Sequence, residues 1–137
     1  LILSAERVFE YPMVDKDALP QWSFGRITLM GDAAHPMYPR GSNGSAQGLI
    51  DARTLCELLT QHTDPVAALQ HYQDLRLPAT AKVVQTNRTL PPDFIIMKAD
   101  ELSEHKPFKH IDDLISQAEL KKISDNYKQI AGFASKT

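Results

Sequence analysis

The stretch LMGDAAHPMYPRGSNGSAQG, Leu29 to Gly48, constrains the fold more than any other part of the chain. An apolar, β-favouring run from Arg26 to Met30 reads as a buried strand and stops at Gly31-Asp32. Glycines return at Gly41, Gly44 and Gly48, and a helical pattern resumes from about Ser45. A strand end, a glycine-rich turn and a helix start, in that order, form a recurring ligand site. The first helical N–H groups lack partners there, and the positive end of the helix dipole lies beside them. Asp32 argues against a plain phosphate, which it would repel, and for sugar or polyol hydroxyls, from which a carboxylate accepts hydrogen bonds. The turn therefore predicts a ligand of two chemistries: hydroxyls for Asp32, and a carbonyl or delocalised anion for the amides from Gly44 to Ala46. A plain surface loop, with Asp32 as its cap and the glycines serving its turns, is the alternative reading of the same residues. No lysine follows the glycines, no serine stands at the centre of a G-x-S-x-G, and G-x-G-x-x-G is absent from the chain. These spacings exclude a Walker-type phosphate loop, a hydrolase nucleophile elbow and a dinucleotide fingerprint.

On the N-terminal side, Ile2 to Met13 mixes β-branched and aromatic residues with polar ones and predicts a strand in a half-wet sheet, with Tyr11 and Met13 in sheet packing. DKDALPQ then breaks the pattern. On the C-terminal side, Leu49, Ala52, Leu55, Cys56 and Leu59 recur at helical spacing and predict a helix to about Gln61 with these residues on its core face. Thr63 or Asp64 can cap a second helix, with Pro65 in its first turn, and Pro78 should kink or split it. LPPDF breaks regular structure, and ADELSEHKPFKH reads as a solvated loop. A last helix opens with Ser116 and Glu119 at capping-box spacing, carries Leu120, Ile123, Tyr127 and Ile130 on one face, and ends at Gly132.

With 137 residues, 42% of them apolar, and a net charge of -2 with lysines and arginines scattered among acids, the chain predicts an ordinary soluble protein with no nucleic-acid partner. A single cysteine, Cys56, excludes an internal disulfide and any multi-cysteine metal site, and fits a reducing, cytoplasmic setting. No apolar run is long enough to span a membrane, and none has the form of a leader. The chain begins without Met on what reads as extended structure, as a piece of something longer would.

The pattern W-x-x-G-R-I-T-L-M-G-D-A-A-H-P-M-x-P-x-G from Trp22 to Gly41, followed by Gly44, Gly48 and Asp51-Ala52, resembles the second flavin fingerprint of the FAD-dependent aromatic hydroxylases. These are the single-component monooxygenases with the para-hydroxybenzoate hydroxylase fold. Resemblance is clearest from about Trp22 to Arg76, and HPMYP-x-GSNG with ISQAEL…YKQIAGF is most similar to the subgroup of phenazine-modifying and salicylate-type hydroxylases.

The resemblance implies an α/β fragment, the C-terminal part of a Rossmann-like FAD-binding flavoprotein, with a few short strands followed by three or so α-helices. Residues 1–25 would end a substrate-domain sheet and its linker. Residues 26–90 would be the C-terminal part of the FAD domain, and 91–137 a loop and C-terminal helix. It implies FAD held by Gly31, Asp32, Pro39, Gly41, Ser42, Asn43, Gly44, Ser45 and Ala46: Asp32 on the ribityl chain, Pro39 beside the isoalloxazine ring, and the amides of Ser45 and Ala46 facing flavin N1 and the C2 carbonyl. Ser42 stands where a glycine is frequent and Ala46 where an asparagine is frequent; backbone amides survive both changes.

Tyr38 is the candidate for contact with a small aromatic substrate. No side chain is assigned a catalytic part and no metal is implied, because the cofactor makes the bonds. NAD(P)H would be the co-substrate, and the N-terminal part of the enzyme the natural partner. Alone, the piece should hold half a site and be inactive, with orphaned strand edges that favour self-association. Rival readings are a non-enzymatic helical interaction module and a flavoprotein reductase or halogenase relative. Elsewhere His35 is expected to pack or to bond a backbone carbonyl, Arg40 to sit in solvent, and Asp112 and Glu119 to serve as helix-start charges.

Overall fold

A computed structural model describes Ser4 and residues 6–39, 43–90 and 93–133. They build a helix-rich fold with one two-stranded sheet. Strand β1 is Ser23–Phe24 and β2 is Ile27–Thr28; a 3-10 turn follows at Gly31–Ala33. Helices α1 (Asn43–Gln61), α2 (Pro65–Thr89), α3 (Phe94–Leu102) and α4 (Gln117–Ala131) complete the order, with a second 3-10 turn at Ile111–Asp113 before α4. Helix α1 packs on α2, and α2 on α4.

The predicted buried strand over Arg26 to Met30 is instead the second arm of a tight hairpin. Ser23 pairs with Thr28 and Phe24 with Ile27, antiparallel, across Gly25-Arg26. Gly25 takes φ of 61°, a left-handed value at the first central position of a two-residue turn, which glycine adopts without strain. The run is not buried: Ile27 is 69% exposed, and the described residues give it one partner strand. Helix α2 anchors the hairpin: Gln73 Oε1 accepts from the backbone N–H groups of Trp22 (2.7 Å) and Ser23 (2.9 Å), and Ser23 Oγ donates to the Leu69 carbonyl.

The strand expected from Ile2 to Met13 is absent among the described residues, which run from 7 to 19 without helix or ladder; Leu1 to Leu3 and Ala5 lie outside them. Val8, Phe9, Tyr11 and Met13 are exposed rather than packed in a sheet. β-Favouring side chains do not make a strand without a neighbour to complete its hydrogen bonds. What holds this segment is its far end: the Lys16 N–H donates to the Pro36 carbonyl, and Arg88 of α2 pairs with Asp15 and Asp17.

Helix starts and stops follow local chemistry. Asp64 caps α2 by accepting from the Val66 N–H, with Pro65 in the first turn. Ser116 and Glu119 form the full capping box of α4, and Gly132 closes it at φ of 78°. Pro78 lies inside α2 without splitting it. It faces solvent, so water can satisfy the Asp74 carbonyl that the ring leaves without a donor. Pro78→Ala restores that hydrogen bond and is expected to stabilise the fold by about 1–2 kcal/mol, read as a higher urea midpoint. Ala99 to Leu102, placed in a solvated loop by their charge, close helix α3; the chain leaves it through Glu104 and His105, both at positive φ.

The main core joins Trp22, Ala34, Leu58, Ala68 and Tyr72, with Leu19, Leu29, Leu55 and Leu77 around them; Met37, Val83 and Val84 form a second cluster. The Trp22 ring lies 5.9 Å from Tyr72 and 5.5 Å from His35. Among the described residues no helix is long and apolar enough to cross a membrane.

Candidate functional site

Met30 enters the 3-10 turn extended, and Gly31 takes φ of 59°, which a side chain there would strain. The Gly31 carbonyl accepts from the N–H groups of Ala34 and His35, both at 2.9 Å, so the turn is tight and Asp32 sits at its outer corner. That corner faces the start of α1: a Cβ built on Gly44 would stand 3.6 Å from Asp32 Oδ1. An exposed carboxylate therefore lies over the first turn of a helix of 19 residues that carries no acid of its own there. A carboxylate that accepts from hydroxyls, beside a helix start that favours negative charge, is the two-part donor set the sequence predicts.

The remaining predicted residues fall around this corner. Ser45 is exposed and Ala46 half-buried on the first turns of α1; Tyr38 is half-buried and Pro39 exposed on the loop that leads to it. Gly41 and Ser42, with Arg40, lie outside the described residues. Asn43 turns away: it is wholly buried, its side-chain amide donates to the Tyr127 hydroxyl, and that hydroxyl donates to Asn87 Oδ1 at 2.6 Å. Its side chain is thus committed to the junction of α1, α2 and α4. Any part it takes in a ligand site falls to its backbone.

Of the positions that periodicity sets on the core face of α1, Leu55 packs against the core and Ala52 is half-buried, but the other three are not buried. Leu49, Cys56 and Leu59 are exposed, and the buried positions are Asn43, Gln47, Asp51 and Leu58. The hidden face is mostly polar, and it carries the network beneath the turn. Asp51, 0% exposed, accepts from the Gly31 N–H (3.1 Å) and from His35 Nε2 (2.5 Å) on Oδ2, and from Arg76 Nε (2.7 Å) on Oδ1. Arg76 also donates to Gln47 Oε1 at 2.6 Å, and Gln47 Nε2 donates to the Ala131 carbonyl at 2.8 Å.

Burial pushes the Asp51 carboxyl up, but hydrogen bonds from His35, Arg76 and the Gly31 N–H outweigh it and hold the group below the ordinary carboxylate range. Burial, reinforced by the Asp51 charge, drives the nearby Tyr72 hydroxyl well above its usual value. His35 thus bonds a carboxylate rather than a backbone carbonyl. Asp51, Gln47 and Arg76 were not singled out as a network from the sequence. The signal was there: Asn43, Gln47 and Asp51 recur every four residues, one face of a helix.

Residues 10–87 match the FAD binding domain family. The chain is 50% identical over 88 residues to a phenazine 1,6-dicarboxylic acid hydroxylase of Lysobacter antibioticus, covering 64% of this chain and 22% of that protein. It is 42% identical over 95 residues to a 3-amino-4-hydroxybenzoate 2-monooxygenase of Streptomyces platensis (69% of this chain, 24% of that protein). A 3-hydroxybenzoate 6-hydroxylase of Aquipseudomonas alcaligenes is 43% identical over 83 residues (61% and 21%). The chain spans about a quarter of the length of these relatives or less. The hairpin, the Gly31–Ala33 turn and most of α1 and α2 fall inside the matched region, and this chain belongs to the FAD binding domain family.

Proposed function

We propose that the chain supplies the ring-facing side of the FAD site in a monooxygenase that hydroxylates an aromatic or heteroaromatic compound with NAD(P)H and O2. The observation that carries this reading is the Asp32 carboxylate set over the start of α1. Bound there, FAD would supply the redox and oxygen chemistry. The residues of this chain would hold and polarise it. Asp32 would accept hydrogen bonds from the ribityl hydroxyls, and Gly31 would give the turn its sharpness. Backbone amides of Gly44, Ser45 and Ala46, with the loop through Pro39, Gly41, Ser42 and Asn43, would meet the carbonyl edge of the ring. A helix start beside that edge favours the extra negative charge of the reduced state and so favours reduction.

Tyr38, half-buried on the loop between turn and helix, would contact the aromatic substrate. The named activities of the similar proteins, all on small aromatic acids, support that substrate class. In this reading the hairpin and helices are the C-terminal part of a Rossmann-like domain in a cytoplasmic enzyme, with residues 1–25, 26–90 and 91–137 as its successive units. The ADP half of FAD falls to the rest of the enzyme, so the chain alone holds half a site and is inactive.

The test is Asp32→Ala in the full-length protein. Flavin occupancy on purification is expected to fall, with FAD affinity about tenfold weaker or more, from the loss of hydrogen bonds to a charged acceptor. Unchanged flavin content, read from the visible spectrum, overturns the assignment and leaves the turn as a connector in a helical module. Product analysis with NAD(P)H and candidate aromatic acids separates a hydroxylase from a reductase or halogenase relative.

A further inference from the structure

The network under the turn points to a part for Asp51 beyond the reading above, on which this inference rests. Oδ2 of Asp51 receives both ends of the turn that carries Asp32: the Gly31 N–H just before it, and the His35 ring just after it. Oδ1 receives Arg76 from α2. Asp51 itself stands on α1, the helix whose first turn meets the Asp32 carboxylate. One side chain thus fixes the distance between the two halves of the donor set. We propose that Asp51 is a positioning residue for the flavin, holding the Asp32 corner in register with the α1 amides, and that His35 is its grip on the turn.

The chemistry of the carboxylate explains why this position needs an acid. Three donors converge on it, and an aspartate offers acceptor lone pairs on both oxygens. An asparagine there must aim its NH2 at Arg76, or else at Gly31 and His35. In the second case the Gly31 N–H loses its acceptor and the turn is released. His35 is 4% exposed, and its Nδ1 has no hydrogen-bond partner among the described residues, so Asp51 is the fixed point for the ring.

The experiment measures FAD affinity of the full-length apoprotein by flavin fluorescence, together with the visible spectrum of bound flavin. Asp51→Asn is expected to weaken FAD about tenfold. The double variant Asp32→Ala/Asp51→Asn should bind within about threefold of Asp32→Ala alone, because Asp51 acts through a contact the first change has already removed. His35→Ala should weaken FAD, and His35→Gln, whose side-chain N–H can again donate to Asp51, should recover part of the loss. Ile115→Ala, a truncation of a buried side chain outside the cluster that holds Ala34 of the turn, should lower stability and leave FAD affinity unchanged.

Full additivity in the double variant overturns the proposal. So does equal FAD loss in Ile115→Ala, which would make the effect one of general stability. If Asp51→Asn does not fold, the His35 pair decides: wild-type affinity in His35→Ala overturns the proposal, and partial recovery in His35→Gln upholds it. Wild-type affinity in Asp32→Ala is a different failure, since it removes the flavin reading itself.

Discussion

Asp51→Ala is expected to lower the free energy of unfolding by about 3–5 kcal/mol, because it strands the Arg76 guanidinium in the interior without its counter-charge. The Gly31 N–H and His35 Nε2 lose their acceptor in the same step. At an m-value of about 2 kcal/mol/M the urea midpoint falls by about 1.5–2.5 M. The pH dependence gives a second check. The folded Asp51 carboxyl ionises below its ordinary range, so its contribution is fully present above the unfolded value near 4 and is lost as pH falls through the lower folded value. Wild type and Asp51→Ala should therefore converge in stability as pH drops below about 4. A gap that stays constant down to the folded carboxyl's range would mean that the charge of Asp51 contributes nothing.

Trp22→Ala is expected to cost about 3–5 kcal/mol, through the cavity left beneath the hairpin. The indole is 1% exposed and packs among Tyr72, His35 and Ala34 where the hairpin, the turn and α2 meet. Trp22→Phe should cost much less, on two grounds. A ring still fills most of the space, and the indole Nε1–H that disappears has no hydrogen-bond partner among the described residues. Urea unfolding of the two variants, with near-ultraviolet circular dichroism to follow the aromatic cluster, distinguishes them. Similar losses in both would show that the indole nitrogen, not ring volume, is what the core uses.

The contrast between the two ends of the chain shows which parts of a fold can be read without coordinates. Helix α4 was legible from Ser116, Glu119 and Gly132, because a capping box and a left-handed stop are settled within a few residues. The extended N-terminal segment was not, because a strand depends on a partner that local sequence cannot supply. Helix α1 was found, but its buried face only in part: Leu55 packs on the core, whereas Leu49, Cys56 and Leu59 are exposed and Asn43, Gln47 and Asp51 are buried with Leu58. The short helix α3 was missed where Ala99 to Leu102 carry as much charge as a loop. In the site, the Gly31-Asp32 corner and the helix start could be anticipated from hydrogen-bonding chemistry. The support from Asp51 and Arg76 depends on the crossing of α1 and α2, and only the fold reveals it.

Two arginines of α2 make opposite use of the same chemistry. Arg76 meets Asp51 in the interior, whereas Arg88, one-third exposed, straps Asp15 and Asp17 to the helix end in contact with solvent. Dissolved ions screen the partly exposed outer pairs more than the buried inner one. Salt therefore weakens the hold of the α2 end on the N-terminal segment, which the Lys16 to Pro36 backbone hydrogen bond still tethers, and leaves the network behind the Gly31 corner in place.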